Sequence, residues 1–278
     1  MAYFVARTSI AYLNPSETIA ALMTLICVAS PKGGVGKTMV TAHLAEELRR
    51  AGIPRVVAVD LDPQNALRLH FGIPISHRAG FAPEIASRRL WRDTAVRGVN
   101  DVIIYPFGTL SLERQMAFER VVVTNPGVLA NDLVSLAQAP DTVVIVDTAP
   151  GYSVALSALI DHADMVVTVM TAEASCVSLI AEIHSGSCYA REAQTSLPFL
   201  HQVVVNRFDP MNRISAMTMP QIIRRLGSMH LGTIFRDEHV GEAFASQKLI
   251  HHYAPFSRAA LDLEAIGDRL LQTVRRLH

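Results

Sequence analysis

The sequence contains few cysteines, balanced charge and no long hydrophobic run, and each of these features excludes a class of protein. Its three cysteines form no CxxC pair, which excludes a disulfide framework and a cysteine-rich zinc cluster. Its 25 basic residues balance its 25 acidic ones, which argues against a globally basic nucleic-acid-binding protein. The longest uncharged stretches, Thr18–Pro31 and Ala193–Asn206, are shorter than the roughly 18 residues that a membrane-spanning helix needs.

Hydrophobic residues make up 50% of the 278 residues, so the chain can bury a large core. From Met23 onward, short apolar runs alternate with amphipathic stretches, a pattern typical of βαβ units. Several apolar runs lack alternation, as in strands that are covered on both faces. The sequence therefore predicts an α/β fold with a doubly wound, mostly parallel sheet and helices on both faces. The predicted strands are Leu25–Ala29, Val56–Asp60, Val102–Tyr105, Val143–Asp147, Met165–Met170, Gln202–Asn206 and Leu231–Ile234.

The same pattern predicts a single domain over residues 23–278, preceded by a segment of different character. Residues 1–22 lack a basic region followed by an unbroken apolar core, because Asn14, Pro15 and Glu17 interrupt it. We interpret this segment as a loose N-terminal extension or a mis-called start. The helices predicted within the domain are Lys37–Ala51, Glu113–Arg120, Pro126–Ala137, Ser153–Asp161, Ser175–Thr195, Ser215–Met229, Val240–Gln247 and Ser257–Leu277.

A glycine-rich loop with the sequence SPKGGVGKT, from Ser30 to Thr38, joins the first predicted strand to the first helix. Glycines let backbone N–H groups turn towards bound phosphates, and the helix N-terminus adds its partial positive charge. In such a loop Lys37 reaches the β- and γ-phosphate oxygens, and the Thr38 hydroxyl ligates Mg²⁺. We therefore predict a nucleotide site formed by Lys32, Gly33, Gly34, Val35, Gly36, Lys37, Thr38 and Met39.

Acidic residues lie at the ends of two further predicted strands. Asp60 and Asp62 follow one buried run, and the alternation of side chains along a strand directs both to the same side. Asp147 ends another buried run. The carboxyl ends of parallel strands meet at the edge of the sheet where ligands bind. We therefore expect these three carboxylates to lie beside the glycine-rich loop.

The string KGGVGKT resembles the deviant Walker A motif of the ParA/MinD superfamily of ATPases, and DLDPQ and VVIVDTAPG resemble its switch I and Walker B motifs. The resemblance implies that Lys32 reaches across a dimer interface to the nucleotide of the partner subunit. It implies that Asp62 orients the attacking water, so that Asp62, Lys32 and Lys37 form the catalytic set. Asp60 would act near Mg²⁺ and Lys37, and Asp147 would hold a Mg²⁺-bound water.

Two later segments extend this resemblance to the base of the nucleotide. The segment VVVNRFDP is similar to the one in which the family's asparagine reads the adenine edge, so Asn206 would bind adenine with Arg207 beside it. From the residues alone, a strand-ending Asn-Arg turn remains an alternative. The segment Arg236-Asp237-Glu238 resembles the loop that closes over the base.

A narrower resemblance lies between these motifs. The patches RLHF, HRAG, WRD and PFGTLSLERQ, which begin at Arg68, His77, Trp91 and Pro106, resemble the BcsQ family of cellulose-biosynthesis ATPases. This resemblance implies a cytoplasmic homodimer, recruited to the inner membrane or the cell pole, that binds a small BcsR-type partner and the cellulose synthase machinery. Some members lack the lysines of the loop, whereas this sequence keeps both. We therefore predict a working, slow ATPase with ATP and Mg²⁺ as ligands.

Two other functions remain as alternatives at this stage. A DNA-partition ATPase would use a basic surface, and Arg207, Arg213, Arg224 and Arg225 form a locally basic stretch, although a solvated helix face is the preferred interpretation. A membrane-associated ATPase of the MinD type would use an amphipathic C-terminal helix, although a helix packed on its own domain is preferred.

Two smaller features allow only local interpretations. Met211, Met217 and Met219 flank Pro220 and form either a contact face or a buried helix start. The pair His251 and His252 lacks a third spaced ligand, so we interpret it as part of a surface loop rather than a metal site.

Overall fold

The computed structural model describes residues 23–189 and 197–278, so the predicted N-terminal extension lies outside the described residues. All seven predicted strands form, and a short additional strand, β3, was not predicted. The strands are Met23–Ala29 (β1), Arg55–Asp60 (β2), Val96–Arg97 (β3), Ile103–Tyr105 (β4), Thr142–Asp147 (β5), Met165–Thr171 (β6), Leu200–Phe208 (β7) and His230–Phe235 (β8).

The strands form one sheet in the order β3-β4-β2-β5-β1-β6-β7-β8. Every pairing is parallel except that of the edge strand β3 with β4. The prediction of a mostly parallel sheet is therefore confirmed. The central strand β1 lies between β5 and β6, and β5 separates it from β2. Three chain segments that leave these strands consequently meet at one edge of the sheet.

Both faces of the sheet are covered by helices, as the unbroken apolar runs predicted. Along β1, Ile26 and Val28 belong to one hydrophobic core, whereas Leu25 and Cys27 belong to the core on the opposite face. The helices are Lys37–Arg50 (α1), Leu67–His70 (α2), Phe81–Ala86 (α3), Leu112–Thr124 (α4), Gly127–Ala137 (α5), Val154–Leu159 (α6), Ala174–Val177 (α7), Ile180–Ser185 (α8), Arg213–Leu226 (α9), His239–Ala245 (α10) and Arg258–Arg275 (α11), with 3₁₀ turns at Arg92–Thr94, Val99–Asp101, Ile160–His162, Gly227–Met229 and Ile250–His252.

The prediction of one continuous helix over Ser175–Thr195 is wrong. The chain forms the two short helices α7 and α8, and α8 ends at Gly186, whose φ of 66° leaves the right-handed helical region. Glycine adopts this conformation without the steric penalty that a Cβ atom brings. Residues 190–196 of the predicted helix lie outside the described part of the chain.

The C-terminal helix α11 packs on its own domain, as preferred from the sequence. Its apolar residues Leu263, Ile266, Leu270 and Val274 are buried, and the helix packs against α1 and β8. The contact with α1 is close, because a Cβ atom on Gly267 would lie 2.5 Å from the Cβ atom of Glu47. Within residues 23–189 and 197–278, no helix is long and apolar enough to cross a membrane.

The interpretation of His251 and His252 as a surface loop is wrong for His251. Its Nε2 atom lies 2.6 Å from Oε1 of the buried Glu47, and its side chain is only 7% exposed. His252 pairs in the same way with the buried Glu46, at 2.9 Å. These two pairs join the C-terminal part of α1 to the segment that precedes α11.

Candidate functional site

The candidate site lies where the chain leaves β1, β2 and β5. Asp60 at the end of β2 and Asp147 at the end of β5 are direct neighbours in the parallel register, and Val28 of β1 is the neighbour of Asp147 on its other side. The glycine-rich loop therefore begins beside these carboxylates. The sequence predicted this convergence, and the sheet order confirms that the elements are adjacent.

The loop leads into α1 with the geometry of an anion site. Gly34 and Gly36 have φ angles of 75° and 90°, and no side chain caps the N-terminus of α1. The uncapped N–H groups of the first turn are thus directed towards the loop, where they can bind phosphate oxygens. Lys37 is buried at this point, and burial lowers its pKa, while the charges of Asp147 and Asp62 act in the opposite direction.

The two carboxylates at the strand ends are fully buried, and they differ in their hydrogen bonds. The oxygens of Asp60 accept hydrogen bonds from the backbone N–H groups of Asp62 and Leu67, each at 3.0 Å. This carboxylate therefore fixes the turn that carries Asp62. Burial, followed by the charge of Asp147, raises the pKa of Asp60 well above its ordinary value. Its role near Mg²⁺ stays a prediction.

Asp147 has the features expected of a residue that serves a cation. Its Oδ1 atom accepts a hydrogen bond from Thr41 at 3.3 Å, whereas the buried Oδ2 atom has no hydrogen-bond partner within the described residues. Burial raises the pKa of Asp147 to about 7, and the nearby Thr38 hydroxyl and the charge of Lys37 oppose this shift. A carboxylate oxygen without a partner next to a hydroxyl group fits Mg²⁺, which binds few protein ligands and completes its shell with water and phosphate oxygens.

Asp62 extends from the turn that Asp60 fixes. Its Oδ1 atom accepts a hydrogen bond from the Gln64 backbone N–H at 2.9 Å, and no hydrogen bond to its Oδ2 atom is present in the described part of the chain. The side chain is thus oriented, and one oxygen remains for another partner. A carboxylate held in this way can accept a proton from water.

Lys32 contacts residues that were not predicted to belong to the site. Its Nζ atom lies 2.6 Å from Oε2 of Glu173 and donates a second hydrogen bond to the Ser175 hydroxyl at 3.0 Å. The pair holds the Lys32 side chain within its own subunit. Glu173 follows the buried strand β6 as Asp62 follows β2. The criterion used for the other carboxylates, an acidic residue at or just after the end of a buried apolar run, therefore also selects Glu173.

Asn206 and Arg207 lie at the end of β7 and hold the glycine-rich loop. The Asn206 side-chain amide donates a hydrogen bond to the Val35 carbonyl at 2.7 Å, and the Arg207 guanidinium donates one to the Gly34 carbonyl at 3.0 Å. Arg207 adopts a φ of 55°, which is uncommon outside glycine and typical of functional positions. Contact of Asn206 with adenine stays a prediction.

A cavity with a volume of about 980 Å³ opens beside these residues. It is large enough for a nucleotide. The segment Arg236–Glu238 lines this cavity, as do His70 and Phe244, which were not predicted to do so. Closure of Arg236–Glu238 over a base stays a prediction. The rings of His70 and Phe244 lie 4.6 Å apart. Since helices α2 and α10, which carry them, are distant in sequence, no local pattern connects these two residues.

Comparisons with known proteins agree on the family and the fold. The family model described as "Cellulose biosynthesis protein BcsQ" matches residues 23–271. The cellulose biosynthesis protein BcsQ of Escherichia coli K12 is 27% identical to this chain, over an alignment that covers 88% of this chain and 93% of the E. coli protein. The protein of the same name from Salmonella typhi is 25% identical, with coverages of 88% and 93%.

Solved structures with a similar fold include ATPases that bind nucleotide. The septum site-determining protein MinD of Pyrococcus horikoshii, complexed with Mg-ADP, has a TM-score of 0.72 and 20% identity and covers 91% of this chain and 98% of MinD. A ParA family ATPase from Chlorobium tepidum has a TM-score of 0.66 and 18% identity, with coverages of 91% and 100%. The sheet described above is therefore that of the MinD and ParA ATPases.

Proposed function

The chain belongs to the BcsQ family of cellulose biosynthesis proteins, and from this premise we propose that it is a slow, Mg²⁺-dependent ATPase. ATP binding favours a closed homodimer, and hydrolysis reopens it. In the dimeric state the protein supports the assembly or positioning of the cellulose synthase complex. The convergence of the glycine-rich loop with Asp62 and Asp147 at one edge of the sheet carries this proposal.

The residues of the site act in distinct ways in this proposal. The N–H groups of the loop and the first turn of α1 bind the phosphates, and Lys37 neutralises the β/γ oxygens. The Thr38 hydroxyl would hold Mg²⁺ directly and Asp147 would hold it through a bound water, and the metal would supply charge that shields the transferred phosphoryl group. Asp62 orients the attacking water through its free oxygen. Asn206 and Arg207 hold the loop and bind the base side of the nucleotide.

The partners of the protein follow from the family and from the dimer. The Lys32 side chain is 40% exposed beside Glu173, and in this proposal it leaves Glu173 to reach the nucleotide of a second subunit. We assign to the dimer a small BcsR-type partner and the synthase machinery at the inner membrane or the cell pole. A cytoplasmic location follows from these partners. DNA is not part of this proposal.

Phosphate release by the purified protein tests the hydrolysis step. We expect slow release with ATP and Mg²⁺, and a loss of about 100-fold or more in Asp62→Ala, because an oriented water needs its acceptor. Binding of a fluorescent ATP analogue should be retained in Asp62→Ala, since in this proposal Asp62 acts on the attacking water, and other residues bind the phosphates and the base. Equal phosphate release by the wild type and Asp62→Ala would refute the proposed reaction.

The Lys32–Glu173 pair yields a prediction for dimerisation. Since Lys32 has to leave Glu173 before it can reach a second subunit, Glu173→Gln should strengthen ATP-dependent dimerisation. Exposed ion pairs are weak, so we expect an increase of about two- to fivefold in the association constant. Analytical ultracentrifugation with ATP and Mg²⁺ measures this constant. Glu182→Gln removes an exposed carboxylate from α8 and serves as the matched control, and equal constants for the two variants would contradict the prediction.

A further inference from the structure

The helix α9 presents an outer face that nothing in the described structure covers. Its inner side is anchored by the buried residues Ser215, Met219, Ile222 and Leu226. On the opposite side Ile214 and Met217 are 58% and 62% exposed, and Met211 just before the helix is 91% exposed. Of the two interpretations of the methionines, the buried helix start therefore holds only for Met219.

Three arginines share this outer face with the apolar side chains. Arg213, Arg224 and Arg225 are exposed, and none lies within ion-pair distance of a carboxylate among the described residues. The nearest acid in sequence, Asp209, lies 3.8 Å from the Arg236 guanidinium. We define the α9 face as Arg213, Ile214, Met217, Arg224 and Arg225.

We propose that the α9 face is a docking site for an amphipathic acidic helix of a partner protein. Met217 and Ile214 supply an apolar stripe whose flexible methionine adapts to the side chains of a second helix. The three uncompensated arginines flank this stripe and select Asp and Glu on the occupant. The α9 face thus fits a partner helix that has apolar residues at helical spacing and carboxylates beside them.

Two other classes of macromolecule fit the α9 face less well. DNA binding draws its affinity from cations placed against phosphates, and exposed Ile214 and Met217 side chains in the middle of the face add nothing to such contacts. A membrane-surface helix buries a wide apolar face in lipid. Here the wide apolar face of α9 is already buried in the protein, and only a narrow stripe remains outside.

The position of α9 links the docking site to the nucleotide cavity. Asn212, Ile214 and Ser215 in the first turn of the helix line this cavity. One turn further on, the Thr218 hydroxyl donates a hydrogen bond to the Ala172 carbonyl at 2.8 Å, next to Glu173, which holds Lys32. Docking and nucleotide binding should therefore affect each other reciprocally. This coupling rests on the proposed function, whereas the docking site itself does not.

A photo-crosslinking amino acid at position 217 of the full-length chain tests the docking site in native cells. Position 90 is the control, since Leu90 is 88% exposed and distant in sequence from α9. We expect an adduct from position 217 whose crosslinked peptide is an acidic amphipathic helix. The double substitution Arg224→Glu, Arg225→Glu should reduce its yield about fivefold or more and leave ATP binding unchanged. Replacement of the crosslinked acid by Arg should restore the yield in that variant.

The outcomes separate this inference from the proposed function. Any one of three results would overturn the docking site. The first is an adduct yield at position 217 no higher than that at position 90, and the second is an adduct with lipid, nucleic acid or a second copy of the chain. The third is an adduct yield that the charge reversal does not change. Phosphate release is measured on the same preparations. Absent hydrolysis together with a charge-dependent adduct would refute the proposed ATPase and support the docking site.

Discussion

Gly36→Ala should abolish nucleotide binding, with an affinity loss of about 100-fold or more. Gly36 has a φ of 90°, where an L side chain is strained by about 1–2 kcal/mol. A Cβ atom at this position would also lie 2.4 Å from the Asn206 side-chain nitrogen. Because Asn206 is buried and bonded to the Val35 carbonyl, the loop has to move instead. Titration with a fluorescent ATP analogue measures the loss.

A matched substitution separates backbone strain from this contact. Gly34 has a φ of 75°, and a Cβ atom there would meet nothing within 4 Å. Gly34→Ala should therefore lose only about tenfold in affinity, the cost of strain alone. In the background of Asn206→Ala, the Gly36→Ala substitution should cost no more than Gly34→Ala does. Equal losses for the two glycine variants in the wild-type background would show that contact with Asn206 is irrelevant.

Asp147→Asn should stabilise the nucleotide-free protein in a pH-dependent way. Asp147 is fully buried, and burial raises its pKa from 3.8 to about 7. The folded state therefore holds a proton that the unfolded chain has already released, and stability falls as the pH rises from about 4 to about 7. Asparagine carries no charge and avoids this loss. We expect the gain at about pH 8.5 to exceed the gain at about pH 5 by ~1–3 kcal/mol, because the wild type keeps losing stability as the pH rises from about 5 towards the folded pKa.

Thermal or denaturant unfolding at both pH values measures this effect. Asp161→Asn is the control, because Asp161 is exposed and its substitution should leave the pH dependence unchanged. A gain in Asp147→Asn that is the same at both pH values would contradict the buried-charge explanation. The variant should also lose affinity for Mg²⁺, since asparagine is a neutral ligand. Stability and function thus conflict at this residue.

The parts of the site that were predictable from the sequence are those whose signal is local. The strand, the glycine-rich loop and α1 are contiguous, and Asp60 and Asp147 each end an apolar run that identifies its own strand. The sheet order then brings them together, because parallel strands in this fold class place their carboxyl ends at one edge.

The remaining features depend on contacts between distant segments, for which a single sequence carries no signal. The Lys32–Glu173 pair joins residues that are far apart along the chain. The burial of His251 depends on Glu47, a charged residue that periodicity alone would place on the exposed side of α1. The prediction of a helix over Ser175–Thr195 overlooked a local signal, since the left-handed Gly186 ends α8. The earlier break between α7 and α8 carries no such signal in the sequence.

The packing of α11 on α1 affects the order in which the protein can mature during synthesis. The glycine-rich loop is complete once residue 38 has been made, yet the helix that follows it is covered by Leu263, Ile266 and Leu270 of α11, which are made more than 200 residues later. Domains fold as units during translation. A nascent chain therefore carries a finished phosphate-binding sequence on a support that stays incomplete until α11 has been synthesised and has packed on α1.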